Sequence, residues 1–332
     1  MTVRRLGWTM VLVAALAVAG CGSDDSGSGG SGGGGSGSKA AGFPLTITNC
    51  GRQLTFTKPP ERAITTFQPT LETMLALGLQ DKIVGREDYT EGPRLPEQEA
   101  AFKSIRQISK PSAFPSKEVM LSLRPDFVIS DTLDNFNASS GAATEDELKA
   151  AGAQVYIQSG RCKDGQHATF QDDYNDLTNL AKIFGVPERA APVIAKMKAM
   201  IAKAQARIKG SKPVRLIFYD YKKGPLSLMT AGLSQVVQDA GGDNLTKRDD
   251  GIEVDVSVEK AVQQNPEVIL LWDYGKEGNA DSIKYLKRAL ATTDAVKNNK
   301  LIPIEGSYTV PGYKTAFGVE KVARLLHPDA FR

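Results

Sequence analysis

Two segments of this chain repeat one design. EVMLSLRPDFVIS at 118–130 and EKAVQQNPEVILL at 259–271 share a glutamate, an apolar residue three positions on, a proline seven on, an acid, and then three apolar residues. A proline cannot continue a helix and biases the residue before it away from helical backbone, so each segment reads as a short helix running into a buried strand. A helix that leads straight into a buried strand belongs to a βαβ arrangement, and hence to a parallel sheet. Meeting this unit twice, half the folded region apart, predicts two α/β lobes of similar build.

The neighbouring segments fit that plan. LTIT at 45–48 and QLTF at 53–56 alternate with period two around Asn49, Cys50 and Gly51, the pattern of a β-hairpin. RAITT at 62–66 reads as the first buried strand. Leu71, Met74, Leu75 and Leu77 then have helical spacing up to a capping Gly78, and KIVG at 82–85 is the next strand. Residues 187–210 read as one long helix with Val193, Ile194, Met197, Ile201, Ala204 and Ile208 on a single face. Lys196, Lys198, Lys203, Arg207 and Lys209 fill the rest, as a solvated face or a partner-binding stripe. The expected fold class is therefore α/β: two lobes with central, mainly parallel sheets, 43–186 and 211–332, joined by the helix at 187–210.

What precedes residue 43 cannot join either core. Arg4 and Arg5 lead an apolar run at 8–18, too short for a spanning helix of about 20 residues, and Val18, Ala19, Gly20 and Cys21 form a lipobox. In such a motif the cysteine thiol accepts a diacylglycerol before cleavage, so 1–20 is read as a signal peptide and Cys21 as the lipidated residue. The alternative is an ordinary secretory signal with a chance cysteine. Residues 22–42 are almost all Gly and Ser, a flexible tether that spans about 25 Å as a coil. The expected location is the outer face of a bacterial cytoplasmic membrane, with the protein held there by its lipid.

Once Arg4 and Arg5 leave with the leader, the 41 basic side chains become 39 against 38 acidic ones. That balance excludes a nucleic-acid partner, which would demand a basic excess. With Cys21 used by the lipid, Cys50 and Cys162 remain as an even pair in an oxidising space. Both sit beside turn residues, which favours a disulfide over two separate reduced core cysteines.

Catalytic groups are sparse. His167 and His327 stand alone without metal-ligand spacing, and the GGSGG at 29–33 imitates a nucleophile elbow inside the tether, where no strand or helix can present it. The expectation is therefore no enzyme, with a tethered hydrolase as the distant alternative, and no metal or cofactor. Binding is better supported, because ligands of open α/β sheets sit beyond the carboxyl ends of the strands. Phe67, Gln68, Asp88, Tyr89, Asp131 and Arg161 fall at such ends in the first half. Tyr219, Tyr221, Trp272, Tyr274, Tyr308 and Tyr313 do so in the second, together with Asp220 and Asp273.

Several of these segments resemble one family. KPPERAITT at 58–66 with TLETMLALGLQDKIVG at 70–85, LRPDFVI at 123–129, AGGDNL at 240–245 and NPEVI at 265–269 are similar, in order, to motifs of iron-siderophore/cobalamin-type substrate-binding proteins of ABC importers. The resemblance spans residues 45–330. It implies two lobes whose connecting helix limits hinge closure, and a monomer that passes a bulky small molecule to a permease with a cytoplasmic ATPase. That molecule would be a ferric siderophore, with haem or a corrinoid such as cobalamin as the alternative. The family docks its permease through one glutamate on each lobe. Glu72 matches the first, whereas Gln235 and Gln238 stand where the second is usual and Asp239 is the nearest acid. The Cys50 turn with a later Cys162 is similar to a disulfide-bearing lipoprotein branch. Asp88, Asp131, Asp220 and Asp273, set against Arg161 and one of Arg86 or Arg106, suit a neutral or cationic ligand such as a ferric hydroxamate, or a corrinoid packed on aromatics.

Overall fold

Each copy of the repeated segment builds the centre of a sheet. The computed structural model describes residues 42–87, 92–111, 113–162, 168–220, 226–229, 234–246, 253–273 and 275–332, all within one compact unit, Lys39–Arg332. The hydroxyls of Ser116 and Ser257 cap the two repeat helices, accepting the amides of Val119 (3.4 Å) and Lys260 (3.2 Å). Arg124 and Asn265, directly before the prolines, turn the chain with φ of 46° and 44°. The acid after each proline ties its strand to a neighbouring one. Asp126 accepts the amides of Glu61 and Arg62 at 2.8 Å each, and Glu267 accepts that of Arg215 at 3.0 Å.

In chain order the strands are β1 (Leu45–Asn49), β2 (Arg52–Phe56), β3 (Ala63–Thr65), β4 (Ile83–Arg86), β5 (Phe127–Ser130), β6 (Gln154–Ile157), β7 (Val214–Asp220), β8 (Leu226–Met229), β9 (Gly242–Asn244), β10 (Glu253–Val256), β11 (Val268–Trp272) and β12 (Leu301–Ile304). The helices are α1 (Gln68–Ala76), α2 (Glu99–Ser104), α3 (Lys117–Ser122), α4 (Glu145–Ala150), α5 (Phe170–Ile183), α6 (Ala190–Arg207), α7 (Ser234–Asp239), α8 (Val258–Gln264), α9 (Gly275–Ala289), α10 (Asp294–Lys297) and α11 (Thr315–Leu326). The first sheet is parallel throughout, in the order β4-β3-β5-β6. The second runs β10-β8-β7-β11-β12, with β9 also on β7, and is parallel except for the pairs made by β8. Full burial explains why β3, β5 and most of β11 are continuous apolar runs instead of alternating ones.

The hairpin β1–β2 turns on Cys50 and Gly51, both at positive φ (49° and 76°), the two-residue geometry that matches the twist of paired strands. Asn49 is buried, and its side chain donates to the Ile157 carbonyl (2.7 Å) and accepts the Ile157 amide (2.8 Å). It thereby behaves as one more backbone partner along the edge of β6. The Cys50–Cys162 disulfide, between residues 112 apart in sequence, fastens the same corner.

Between the two sheets the chain passes through α5 and then α6. The long helical segment starts later than its sequence suggests, because Pro187–Arg189 form a 3-10 turn before α6 begins at Ala190. Pro192 lies in the first helical turn, where its missing N–H costs nothing. Met197, Ile201 and Ala204 are buried as the apolar face requires, and they join a single apolar cluster that also takes Phe127 and Tyr156 of the first sheet and Phe218 and Leu270 of the second. Among the described residues, no helix is long and apolar enough to cross a membrane.

Candidate ligand-binding cleft

Parallel register fixes which residues meet at a strand end. Thr65 lies level with Arg86 and Ile129, and Ser130 with Ile157, so Phe67, Glu87, Asp131 and the 158–161 turn emerge from one edge of the first sheet. In the second sheet Tyr219 lies level with Leu271, and Trp272 with Ile304, which places Asp220, Asp273 and Glu305 along a corresponding edge.

The first edge is a charged cluster around a strained residue. Phe67, between β3 and α1, has φ 73° and ψ 129°, a region that only glycine enters without cost. Its amide donates to Glu87 Oε2 at 2.8 Å. Burial, with the Asp131 carboxylate adding to it, lifts the Glu87 carboxyl to about 7 even though the Phe67 amide opposes the shift. Asp131 Oδ1 accepts Asn135 Nδ2 (2.8 Å) and Ser130 Oγ (3.3 Å), and its Oδ2 faces Arg161 at 3.4 Å. Arg161 rides on the short Ser159–Arg161 turn, which Asp176 holds from below. That buried carboxylate accepts the Tyr156 hydroxyl (2.6 Å), the Ser159 hydroxyl (2.5 Å) and the Ser159 amide (3.0 Å). Burial still raises Asp176 to about 7, against the pull of those donors.

The two edges are brought together by the segment that follows β12. Residues 306–315 form a strap, buried at all but Tyr308, that belongs in sequence to the second half and packs into the first. Its Pro311 carbonyl accepts Gln158 Nε2 (2.7 Å), and the Tyr313 amide donates to Thr73 Oγ1 (3.3 Å). Gly312 (φ 146°) lies so close to α1 that a Cβ there would stand 2.9 Å from Pro69 Cβ. Lys314 Nζ donates to Ser307 Oγ (2.8 Å) and to the Pro93 carbonyl, and stands 4.0 Å from Glu72. Thr315 Oγ1 donates to Asp173 Oδ2 (2.7 Å). Gln68 Nε2 completes the seam, donating to Glu72 Oε1 (2.7 Å) and to the Gly92 carbonyl (3.2 Å). Burial pushes Glu72 up to about 7 and Lys314 down, each partly offset by the other's charge.

The seam corrects one reading of the sequence. Glu72 is 2% exposed, held inside by Gln68 and Lys314, and presents no carboxylate to a partner. On the other half, Gln235 Oε1 accepts the Phe170 amide (2.7 Å), tying α7 to the start of α5. Asp239 is half-buried, with its carboxyl raised by burial against a hydrogen bond from Gln205.

The aromatic residues separate by strand face. Tyr219 belongs to the core, 2% exposed and stacked on Tyr285 with ring centres 6.2 Å apart, because alternation along β7 turns it away from the side taken by Phe218. Tyr313 is likewise buried, edge-on to Phe317 at 5.5 Å. Trp272 is partly buried at the end of β11 and stacks on Phe218 at 6.1 Å. Tyr308 is half-buried between Lys314 and Lys321, each 4.3 Å from its ring centre. Phe67 is half-buried and Gln68 is buried in the seam. Asp88, Tyr89, Tyr221 and Tyr274 lie outside the described residues, as does Cys21. Of the candidate cations, Arg86 is buried over the Phe102 ring (3.7 Å) and Arg106 is exposed.

A fold of this kind, with ligand-ready strand ends meeting across a seam, has relatives. The periplasmic binding protein family model matches residues 64–308. The chain belongs to the periplasmic binding protein family. An ABC transporter substrate-binding lipoprotein of Bacillus subtilis is 23% identical over 333 residues, covering 98% of each chain. A periplasmic binding protein of Veillonella parvula superposes with a TM-score of 0.77 at 26% identity, over 86% of this chain and 97% of its own. An ABC-type Fe3+-hydroxamate transport system protein of Saccharomonospora viridis gives 0.71 at 25% identity, over 86% and 99%. The Bacillus and Saccharomonospora relatives are named for ABC transport, which points this periplasmic binding protein toward capture of a solute and away from catalysis.

Glu87 and Lys314 went unread in the sequence, although Tyr308 and Tyr313 had marked the strap that carries Lys314. Glu87 had a signal, standing just past the strand KIVG where an edge residue falls. Lys314 had a fainter one, as the lone charge in the run 306–319.

Proposed function

We propose that this chain is the lipid-anchored substrate-binding protein of an ABC importer, and that it carries a ferric siderophore of neutral or cationic charge, of the hydroxamate type, between its two strand edges. The charge of those edges carries the reading. Among the described residues, Glu87, Asp131, Asp273 and Glu305 lie along them, against Arg161 and a Lys321 that already pairs with Glu305 at 2.5 Å. A strongly anionic catecholate complex would meet repulsion there, whereas a neutral or positive complex would not. The leader and Cys21 support the lipid anchor, as does the lipoprotein name of the Bacillus relative. The ligand would pass to a permease driven by a cytoplasmic ATPase.

A panel of ferric hydroxamate, ferric catecholate, haem and cobalamin tests the ligand. Residues 39–332 contain one tryptophan, Trp272, at the end of β11, so its fluorescence reports on that edge. Saturable quenching and a rise in melting temperature are expected with ferric hydroxamates and neither with catecholates. A response confined to haem or cobalamin would replace the siderophore reading, and silence throughout would remove it.

A further inference from the structure

We propose that the small cavity beside Asp173 is a binding site for one monovalent metal cation. The cavity, of about 10 Å³, lies where α5, α7 and the strap meet, and is lined by Asp173, Thr169, Gln235, Thr309 and Thr315 among others. That volume admits a single particle the size of a water molecule. Asp173 is 4% exposed. Its Oδ2 takes the Thr315 hydroxyl, while its Oδ1 is buried and meets no donor in hydrogen-bond geometry, although the Gly312 amide lies near the carboxyl.

The lining sets the oxygens of Thr169, Asp173, Gln235, Thr309 and Thr315 beside the apolar Ala168, Phe170, Val236 and Pro311. The Thr169 hydroxyl donates to Asp172 (2.8 Å), that of Thr309 to the Gly306 carbonyl (3.0 Å), and that of Thr315 shares its one proton between Asp173 and the Gly312 carbonyl. Their protons are committed, so the oxygens have only lone pairs left to offer. Gln235 Oε1 accepts the Phe170 amide and keeps a second lone pair. The three buried acids beneath the cleft differ in the same respect. Glu72 faces Lys314 and Asp176 has several donors, but Asp173 has no cationic side chain paired with it among the described residues. Burial first, then the neighbouring Asp176 and Asp172 carboxylates, push its carboxyl well above the usual range, against the Thr315 hydroxyl and the Gly312 amide. A cation in the cavity would cancel that cost and satisfy Oδ1 together. One open carboxylate oxygen among neutral oxygens suits sodium or potassium, whereas calcium gathers six to eight oxygens, several of them from carboxylates. The site does not rest on the siderophore reading.

The test compares melting of the purified ligand-free chain at neutral pH in sodium, potassium and N-methylglucamine chloride at equal ionic strength. A saturable rise of about 2 °C or more is expected with sodium or potassium and none with N-methylglucamine. Asp173→Asn keeps an acceptor for Thr315 and should lose the dependence. Thr309→Val removes one neutral oxygen and should raise the half-saturating concentration several-fold. Crystals soaked in rubidium or thallium chloride should show anomalous scattering in the cavity, a reading that holds even if the Asn variant does not fold. Identical melting in all three salts, or no anomalous peak, would overturn the site and leave a water or a protonated Asp173 there.

Discussion

Lys314 is the residue on which most of the seam converges. It gives the buried Glu72 its counter-charge while donating to Ser307 and Pro93, so removing it strands a carboxylate in the interior. Lys314→Met should cost about 3–5 kcal/mol, and the double change with Glu72→Gln should recover most of that loss. Urea unfolding of the four proteins measures the coupling, and simple addition of the two losses would contradict it. The pH dependence has a definite sign. Glu72 has a folded pKa of about 7 against an ordinary 4.5, so the folded state holds a proton that the unfolded chain has released between those values. Its contribution therefore favours folding at low pH and is lost as pH rises through about 7. Wild type should lose more stability from pH 5 to pH 8 than Glu72→Gln, since Glu87 and Asp176 contribute alike to both. An equal loss in the two proteins would remove Glu72 as the cause.

At the scale of the element, the β1–β2 hairpin shows how a turn becomes an anchor. Asn49→Ala would leave both polar backbone groups of Ile157 without their partners, at a cost of about 2 kcal/mol or more. A change under half that size would mean that water replaces the amide. The disulfide beside it should leave no titratable thiol in unreduced, unfolded protein from residue 39 onward. Much of this scale was legible beforehand. The repeated helix–proline–acid–strand segment gave the central strands, the Cys50–Gly51 turn gave the hairpin, and the apolar stripe gave α6. What failed was facing. Tyr219 sits near a strand end, but strand period two places it with Ile217 on the face that α9 covers, a step beyond noting that it ends an apolar run. Glu72 looked like an exposed helix glutamate because its partner, Lys314, is remote in sequence, and no local pattern reports a long-range pair.

At the scale of the molecule, one apolar cluster passes through both sheets, and the strap crosses between them. The two halves are expected to unfold together. Loss of Trp272 fluorescence, which follows the second sheet, should coincide in urea with loss of amide protection in β3, β5 and β6 of the first. Two separated midpoints would show that the seam is weaker than its contacts imply.

The strap also sets a timetable. A chain is synthesised from its amino end, and every strand of the first sheet precedes residue 158. The strap groups that meet Gln158, Thr73, Glu72 and Asp173 all lie beyond residue 310. Until those last residues arrive, the earliest part of the protein keeps Glu72 and Asp173 without these partners and an open groove where the strap belongs. The first half is thus the first to be made and among the last to be finished, and a chain cut short before residue 311 would leave incomplete the lobe whose strands it already holds.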